Sequence, residues 1–174
     1  AGIDVEDREI LENPFLLFER DRENLDRIEF DVIDRGLFPD PVVRAKHPVP
    51  APSAPEGSLD PRRVRAIVAD TLESATEQGH TLLPEDWAVQ RVRNREIRPP
   101  CPLGPDTLQA AADILESVVR VVSLSGGKST LQLDRFDRMK DVISAEVSKR
   151  RKGRRHEAQL SWRKLVDKAI GKAG

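Results

Sequence analysis

Two short stretches carry residue types suited to handling phosphate. The first is Leu124-Ser125-Gly126-Gly127-Lys128-Ser129-Thr130, which brings two glycines, a lysine and hydroxyls together. A P-loop needs a glycine five positions ahead of the one that precedes its lysine, and a helix directly after it. The first of those positions is Val122, and the residues after Lys128 alternate like a strand. A hairpin turn is therefore the better reading, with Lys128, Ser129 and Thr130 placed to touch a phosphate backbone. The second stretch is Lys149-Arg150-Arg151-Lys152-Gly153-Arg154-Arg155, six cations in seven positions. Such a run binds nucleic acid through counterion release and so with steep salt dependence. The bland alternative is a solvated helix end and hinge. The DNA-phosphate candidates are thus Lys128, Lys149, Arg150, Arg151, Lys152, Arg154 and Arg155.

No catalytic, cofactor-binding or metal-ligating set emerges. His47, His80 and His156 lie far apart, and Cys101 is the single cysteine, so neither a nucleophile–base pair nor a cysteine cluster can be assembled from spacing. The carboxylates of residues 1–34 alternate with arginines, which reads as salt-bridged helix faces rather than a metal cage.

Composition sets the bounds. The chain has 174 residues, 38% apolar and 34% charged, with aromatics at only 4%, so its core must be mostly aliphatic. A lone cysteine fits a reducing cytoplasm, and no apolar run approaches the length needed to span a bilayer. The net charge of -1 conceals a gradient. Residues 1–60 hold 15 acids and 7 bases, a net of -8; residues 135–174 hold 5 acids and 13 bases, a net of +8. Such asymmetry points to different partners for the two ends.

The elements that must position these residues follow from periodicity and punctuation. Residues 3–20 read as helical with a break at Asn13-Pro14, and a further helix is expected from Asn24 to Gly36 with Leu25, Ile28, Val32 and Ile33 as its buried stripe. Residues 39–60 contain six prolines and read as an extended linker. Asp60-Pro61 caps and opens a helix over 61–78, with Val64, Ile67, Val68, Leu72 and Ala75 on one face and Gly79 past its end. A short extended piece at 81–83, a helix at 84–95, a proline-rich turn and a helix at 105–117 come next. A hairpin over 118–133 follows, turning at Gly126-Gly127. Helix, strand, helix, helix, hairpin is the order of a winged helix. A long helix over 136–152 and a short last helix carrying Trp162, Leu165, Val166 and Ile170 complete the chain.

In a DNA-reading winged helix the third helix enters the major groove and carries cations or amides. Here Thr107–Ser117 exposes Gln109, Asp113 and Glu116 and has no basic residue, which opposes the phosphate field. Arg91, Arg93, Arg95 and Arg98 cluster at the end of the preceding helix; favouring that helix C-terminus is the preferred reading over backbone contact.

The order of several short pieces resembles the region ahead of the motor core in RecD-like superfamily 1 DNA helicases. These pieces are Asn13-Pro14-Phe15-Leu16-Leu17, Ile33-Asp34-Arg35-Gly36, Phe38-Pro39-Asp40, the Arg62-to-Ala66 helix start, Gly79-His80-Thr81-Leu82-Leu83-Pro84, Arg98-Pro99-Pro100-Cys101-Pro102 and Leu131-Gln132-Leu133. The resemblance covers most of residues 10–165. It implies a parent that hydrolyses ATP with Mg, through a P-loop lying beyond Gly174. It also places a helix-hairpin-helix element in the N-terminal helices. There this chain has Arg27-Ile28-Glu29-Phe30 in place of a glycine-hydrophobic-glycine turn, and Glu29 puts charge where a phosphate would sit.

The expectation is a mainly α chain with no cofactor of its own. It comprises an acidic, degenerate helix-hairpin-helix-like leader over 1–38, a Pro-rich linker over 39–60, a winged-helix-like unit over 61–134 with one small β-hairpin, and a basic helical tail over 135–174. It would be a non-catalytic, cytoplasmic accessory domain that packs on the downstream motor and guides DNA. The alternative is a protein-interaction or structural module with no nucleic-acid contact, engaging a partner through the acidic leader. No membrane partner is expected.

Overall fold

The helix α5 (Pro61–Glu77) is the element around which the rest is built. Asp60 caps it by accepting from the Arg62 amide at 2.9 Å, and Pro61 pre-sets its first turn. It ends ahead of Gly79, whose φ of 87° is left-handed. Val64, Ile67, Val68, Leu72 and Ala75 are all buried, as the stripe predicts. The computed structural model describes residues 3–124, 126–153 and 161–171. It divides into two units, Ala1–Met139 and Lys140–Gly174.

In the first unit, α1 (Asp7–Glu12) and α2 (Leu16–Asp21) are separated at the predicted Asn13-Pro14 break, and α3 (Phe30–Leu37) follows. The helix expected from Asn24 starts later. The Asp21 carboxylate accepts from the Asn24 side chain at 2.6 Å and the Ile28 amide at 2.7 Å, which holds residues 22–29 as a loop. Leu25 and Val32, expected inside, are exposed, and Gly36 lies within the helix rather than ending it. The segment 39–60 is not an extended linker. It holds α4 (Pro41–Lys46), capped by Asp40, and the Arg62 guanidinium donates to the Glu12, Pro52 and Ala54 carbonyls. Nor is the leader a separate body. Phe15, Phe18, Phe30, Ile33 and Leu37 belong to the same buried cluster as α5 and the hairpin.

Next come β1 (Leu83–Pro84), α6 (Glu85–Arg93), α7 (Pro105–Ala110), α8 (Ala112–Leu115), β2 (Val119–Ser123) and β3 (Ser129–Leu133). The sheet is antiparallel in the order β1-β3-β2, with Leu83 opposite Leu131 and Val121 opposite the same residue from the other side. A mainly α chain with a winged-helix-like order and one small hairpin is what the sequence pattern predicts. Its single expected third helix is two short ones, α7 and α8, meeting at buried Ala111. The helix α9 (Asp134–Lys152) starts where β3 stops.

Ion pairs clamp the leader to the core. Arg63, fully buried, gives Nε to Asp34 at 2.7 Å and a second nitrogen to the same carboxylate at 2.8 Å. Arg65 pairs with Glu19, Arg27 with Glu77, and Arg22 and Arg135 both reach Glu73. The alternating charges of residues 1–34 thus form long-range pairs more than same-helix ones.

In the second unit, α10 (Trp162–Ile170) follows the end of α9. Val142, Ile143 and Val147 on α9, and Trp162, Leu165, Val166 and Ile170 on α10, are exposed. No helix among the described residues is long and apolar enough to cross a membrane.

Candidate nucleic-acid interface

The wing is positioned by five paired residues on each side of the β2–β3 hairpin. Gly126 (φ 100°) and Gly127 (φ 74°) make the reversal that L side chains resist, and Leu124 N donates to Lys128 O at 3.0 Å to close it. A strand follows the turn, not the helix that a P-loop requires. Lys128 is exposed at the turn. Thr130, grouped with it by sequence, points inward: it is buried and its hydroxyl donates to the Val122 carbonyl at 2.7 Å.

Beside the wing, α7–α8 stands where a recognition helix would. It exposes Gln109, Asp113 and Glu116. The nearest cation, Arg120 on β2, is already engaged by Asp134 at 3.0 Å and Glu116 at 3.5 Å. The Asp134 hydrogen bond raises the Arg120 guanidinium further above its ordinary value. The cleft of about 680 Å³ along this face is lined by Glu85, Asp113, Glu116 and Arg120 over Leu108 and Val121. Its charge balance repels a phosphate backbone.

The helix-hairpin-helix position has a matching obstacle. In such an element backbone amides at the turn face phosphate; here the Ile28 amide is held by the Asp21 carboxylate. That amide and the Asn24 side chain keep the Asp21 carboxyl below its ordinary value, the Asn24 bond contributing most. Arg27 is occupied by Glu77 at 2.7 Å and Glu29 at 3.8 Å, and the Glu77 bond raises its own value.

The arginines after α6 separate by role. Arg95 joins Asp70 and, at 2.9 Å, Asp31, and lies 4.9 Å over the Phe30 ring. Arg91 reaches the Gln78 side chain at 3.1 Å, while Arg93 and Arg98 are exposed. Tertiary ion pairing, not the helix terminus, accounts for Arg95.

The basic run is the most exposed cation set. Lys149, Arg150, Arg151 and Lys152 occupy the last turn of α9. Lys149 meets Glu146 at 3.6 Å, and all four are exposed. Arg154, Arg155 and His156 lie outside the described residues. No family model, curated protein or solved structure matches the chain. The chemistry of these residues has to be read from their own geometry.

That geometry adds two residues the sequence did not single out, Arg35 and Arg44. Each follows an aspartate by four residues, Asp31 and Asp40, which reads as a helix-surface pair. Both aspartates are used elsewhere: Asp31 takes Arg95, and Asp40 caps α4 at 2.9 Å. No sequence signal distinguishes this outcome. Cys101, by contrast, behaves as a small apolar residue; burial pushes its thiol up, away from the reactive thiolate.

Proposed function

We propose that this chain is a non-catalytic accessory domain of an ATP-dependent, RecD-like DNA helicase, which packs on the motor and guides DNA past it. The ordered resemblance of residues 10–165 to the region ahead of such motors is the source of this reading. The observation that carries the DNA part is the last turn of α9, where Lys149, Arg150, Arg151 and Lys152 stand exposed with one carboxylate, Glu146, among them. Cations in that state can exchange counterions for phosphates. ATP and Mg would belong to the motor, and the chain's own task would be positioning.

The test is a DNA titration by fluorescence anisotropy at about 50 mM and about 200 mM salt. It is repeated with Lys149, Arg150, Arg151 and Lys152 changed to Ala. Binding that falls steeply with salt and weakens in the variant supports the reading. No binding to single- or double-stranded DNA at the lower salt sinks it.

A second reading, a protein-interaction module without nucleic-acid contact, draws on a specific observation: the recognition-helix position carries Asp113 and Glu116 and no cation. It predicts the null result in the same titration.

A further inference from the structure

Arginine in the first unit is mostly spoken for. Arg22, Arg27, Arg62, Arg63, Arg65, Arg95, Arg120 and Arg135 all sit within ion-pair distance of carboxylates. Against that background, three guanidiniums without a carboxylate partner among the described residues line one cavity: Arg35 on α3, Arg44 on α4 and Arg98 ahead of Pro99. Arg35 donates Nε to the Asp31 carbonyl at 3.1 Å, which orients it without neutralising it. All three side chains are exposed. The cavity holds about 1190 Å³, a volume beyond that of a single small metabolite.

Two of the four carboxylates on the same wall are paired with cations: Asp34 with Arg63 and Asp31 with Arg95. Asp40, which accepts only from the neutral Val42 amide, and Glu96 keep their charge, so the three guanidiniums face two open acids. Between the charges the floor is apolar: Phe38, Pro39, Pro41, Ile97 and Pro99. Phe38 is braced from one side by the Arg63 guanidinium, 4.4 Å from its ring centroid. Unpaired cations spaced around an aromatic and proline floor are the recurring chemistry of single-strand binding, in which the phosphates take the cations and the bases take the flat apolar surface.

We infer that the cavity between α3, α4 and residues 96–99 binds a short stretch of single-stranded DNA, its phosphates on Arg35, Arg44 and Arg98 and a base against Phe38 and the prolines. This rests on the DNA-guiding reading and gives it a second, independent contact on the first unit. A duplex, with its bases stacked inward, has nothing to offer the floor.

The test compares labelled oligothymidylate with a duplex of equal length by anisotropy. It uses the whole chain, the variant Arg35→Ala/Arg44→Ala/Arg98→Ala, and the basic-run variant described above. The three arginines are exposed, so the fold should survive their removal; circular dichroism checks it. The cavity variant is expected to lose tenfold or more in single-strand affinity at about 50 mM salt, with its log–log salt slope falling by about 2, since each single-strand phosphate contact contributes about 0.7. Its duplex affinity should change far less. Single-strand binding equal to that of the unaltered chain overturns the cavity site while leaving the guiding role intact. An equal loss for single strand and duplex overturns the base contact. Absence of DNA binding by the unaltered chain removes the broader reading and this site together. Competition by thymidine monophosphate as effective as the oligonucleotide, per phosphate, would reassign the cavity to a free nucleotide and overturn the strand.

Discussion

Replacing Asp34 by Ala should unfold much of this protein's margin of stability. Arg63 and Asp34 have side chains 0% and 2% exposed and share two hydrogen bonds of 2.7 and 2.8 Å. The same guanidinium donates to the Ser58 carbonyl at 3.0 Å and the Pro99 carbonyl at 2.8 Å. One buried cation therefore joins α3, the residues before α5, α5 itself and the segment after α6. Without Asp34 the charge stays buried with carbonyl partners alone, at a cost of about 3–5 kcal/mol, against a total of about 5–15 kcal/mol for an ordinary domain. Arg63→Met strands the carboxylate instead and should cost a similar amount. The double variant Asp34→Ala/Arg63→Met leaves no unpaired charge. It should fall short of the sum by about 2 kcal/mol or more, within the usual coupling range for contacting residues. Urea unfolding followed by circular dichroism at neutral pH measures all three. A control, Arg8→Ala, breaks a pair 86% and 55% exposed and should cost under about 0.5 kcal/mol. A loss below about 1 kcal/mol for Asp34→Ala, typical of an unremarkable substitution, would refute the reasoning. So would strict additivity in the double variant.

Further expectations concern pH, packing and the turn. Burial pushes the Asp60 carboxyl up, but the bonds from Arg62 and from the Glu56 and Arg62 amides outweigh it and hold it below its ordinary 3.8. Its contribution is therefore complete above that value and lost as pH falls through the lower folded value; Asp60→Asn, which can still cap α5, should flatten this acid limb in unfolding titrations. Burial raises Glu19 and Glu73 above 4.5 against the pull of Arg65 and Arg135, so their opposite effect lies at higher pH and does not mask it. Leu103→Ala, at a fully buried position, should cost about 2–5 kcal/mol. Leu165→Ala, 44% exposed on α10, should stay within about 0.5 kcal/mol by the same urea assay. Gly126→Ala and Gly127→Ala force a left-handed L residue at about 1–2 kcal/mol each, and should speed amide hydrogen exchange in β2 and β3.

What the sequence disclosed followed local rules. The α5 cap, its apolar stripe and its end, the Asn13-Pro14 break and the glycine reversal of the hairpin each depend on neighbours within a turn or two. Failures came where a distant group decided. Leu25 and Ile28 have helical spacing to Val32, yet the Asp21 carboxylate captures the Ile28 amide and the turn never forms as helix. Six prolines argued for an extended linker, but α4 forms within it and Arg62 ties the carbonyls of Pro52 and Ala54, with that of Glu12, to the start of α5. The predicted third helix is interrupted at Ala111, whose φ of -89° and ψ of 2° leave the helical run, although nothing in the local sequence marks a break there. At the candidate interface the basic run was legible because it is contiguous. Arg35 and Arg44 were not, since their availability depends on where Asp31 and Asp40 turn, and Arg98 was visible only as one of the arginines after α6.

That dependence reshapes how charge should be weighed in this chain. Arginine density in the first unit says little about nucleic acid, because most of its guanidiniums neutralise carboxylates that burial has made expensive to leave alone; Glu19 and Glu73 rise in pKa even with their partners present. The net of -8 over residues 1–60 is equally misleading, since part of that acidity is spent on α5 and on Arg95 and Arg135. The surplus that can meet an outside anion is what remains after this pairing. Among the described residues it includes two groups, the exposed turn Lys149–Lys152 and the cavity cations Arg35, Arg44 and Arg98, besides scattered single cations such as Arg93 and Lys128. The recognition-helix face contributes none of it. The α7–α8 face of this winged-helix-like unit is poorly suited to read a groove, because Gln109 is its one exposed amide and it carries no cation beside Asp113 and Glu116.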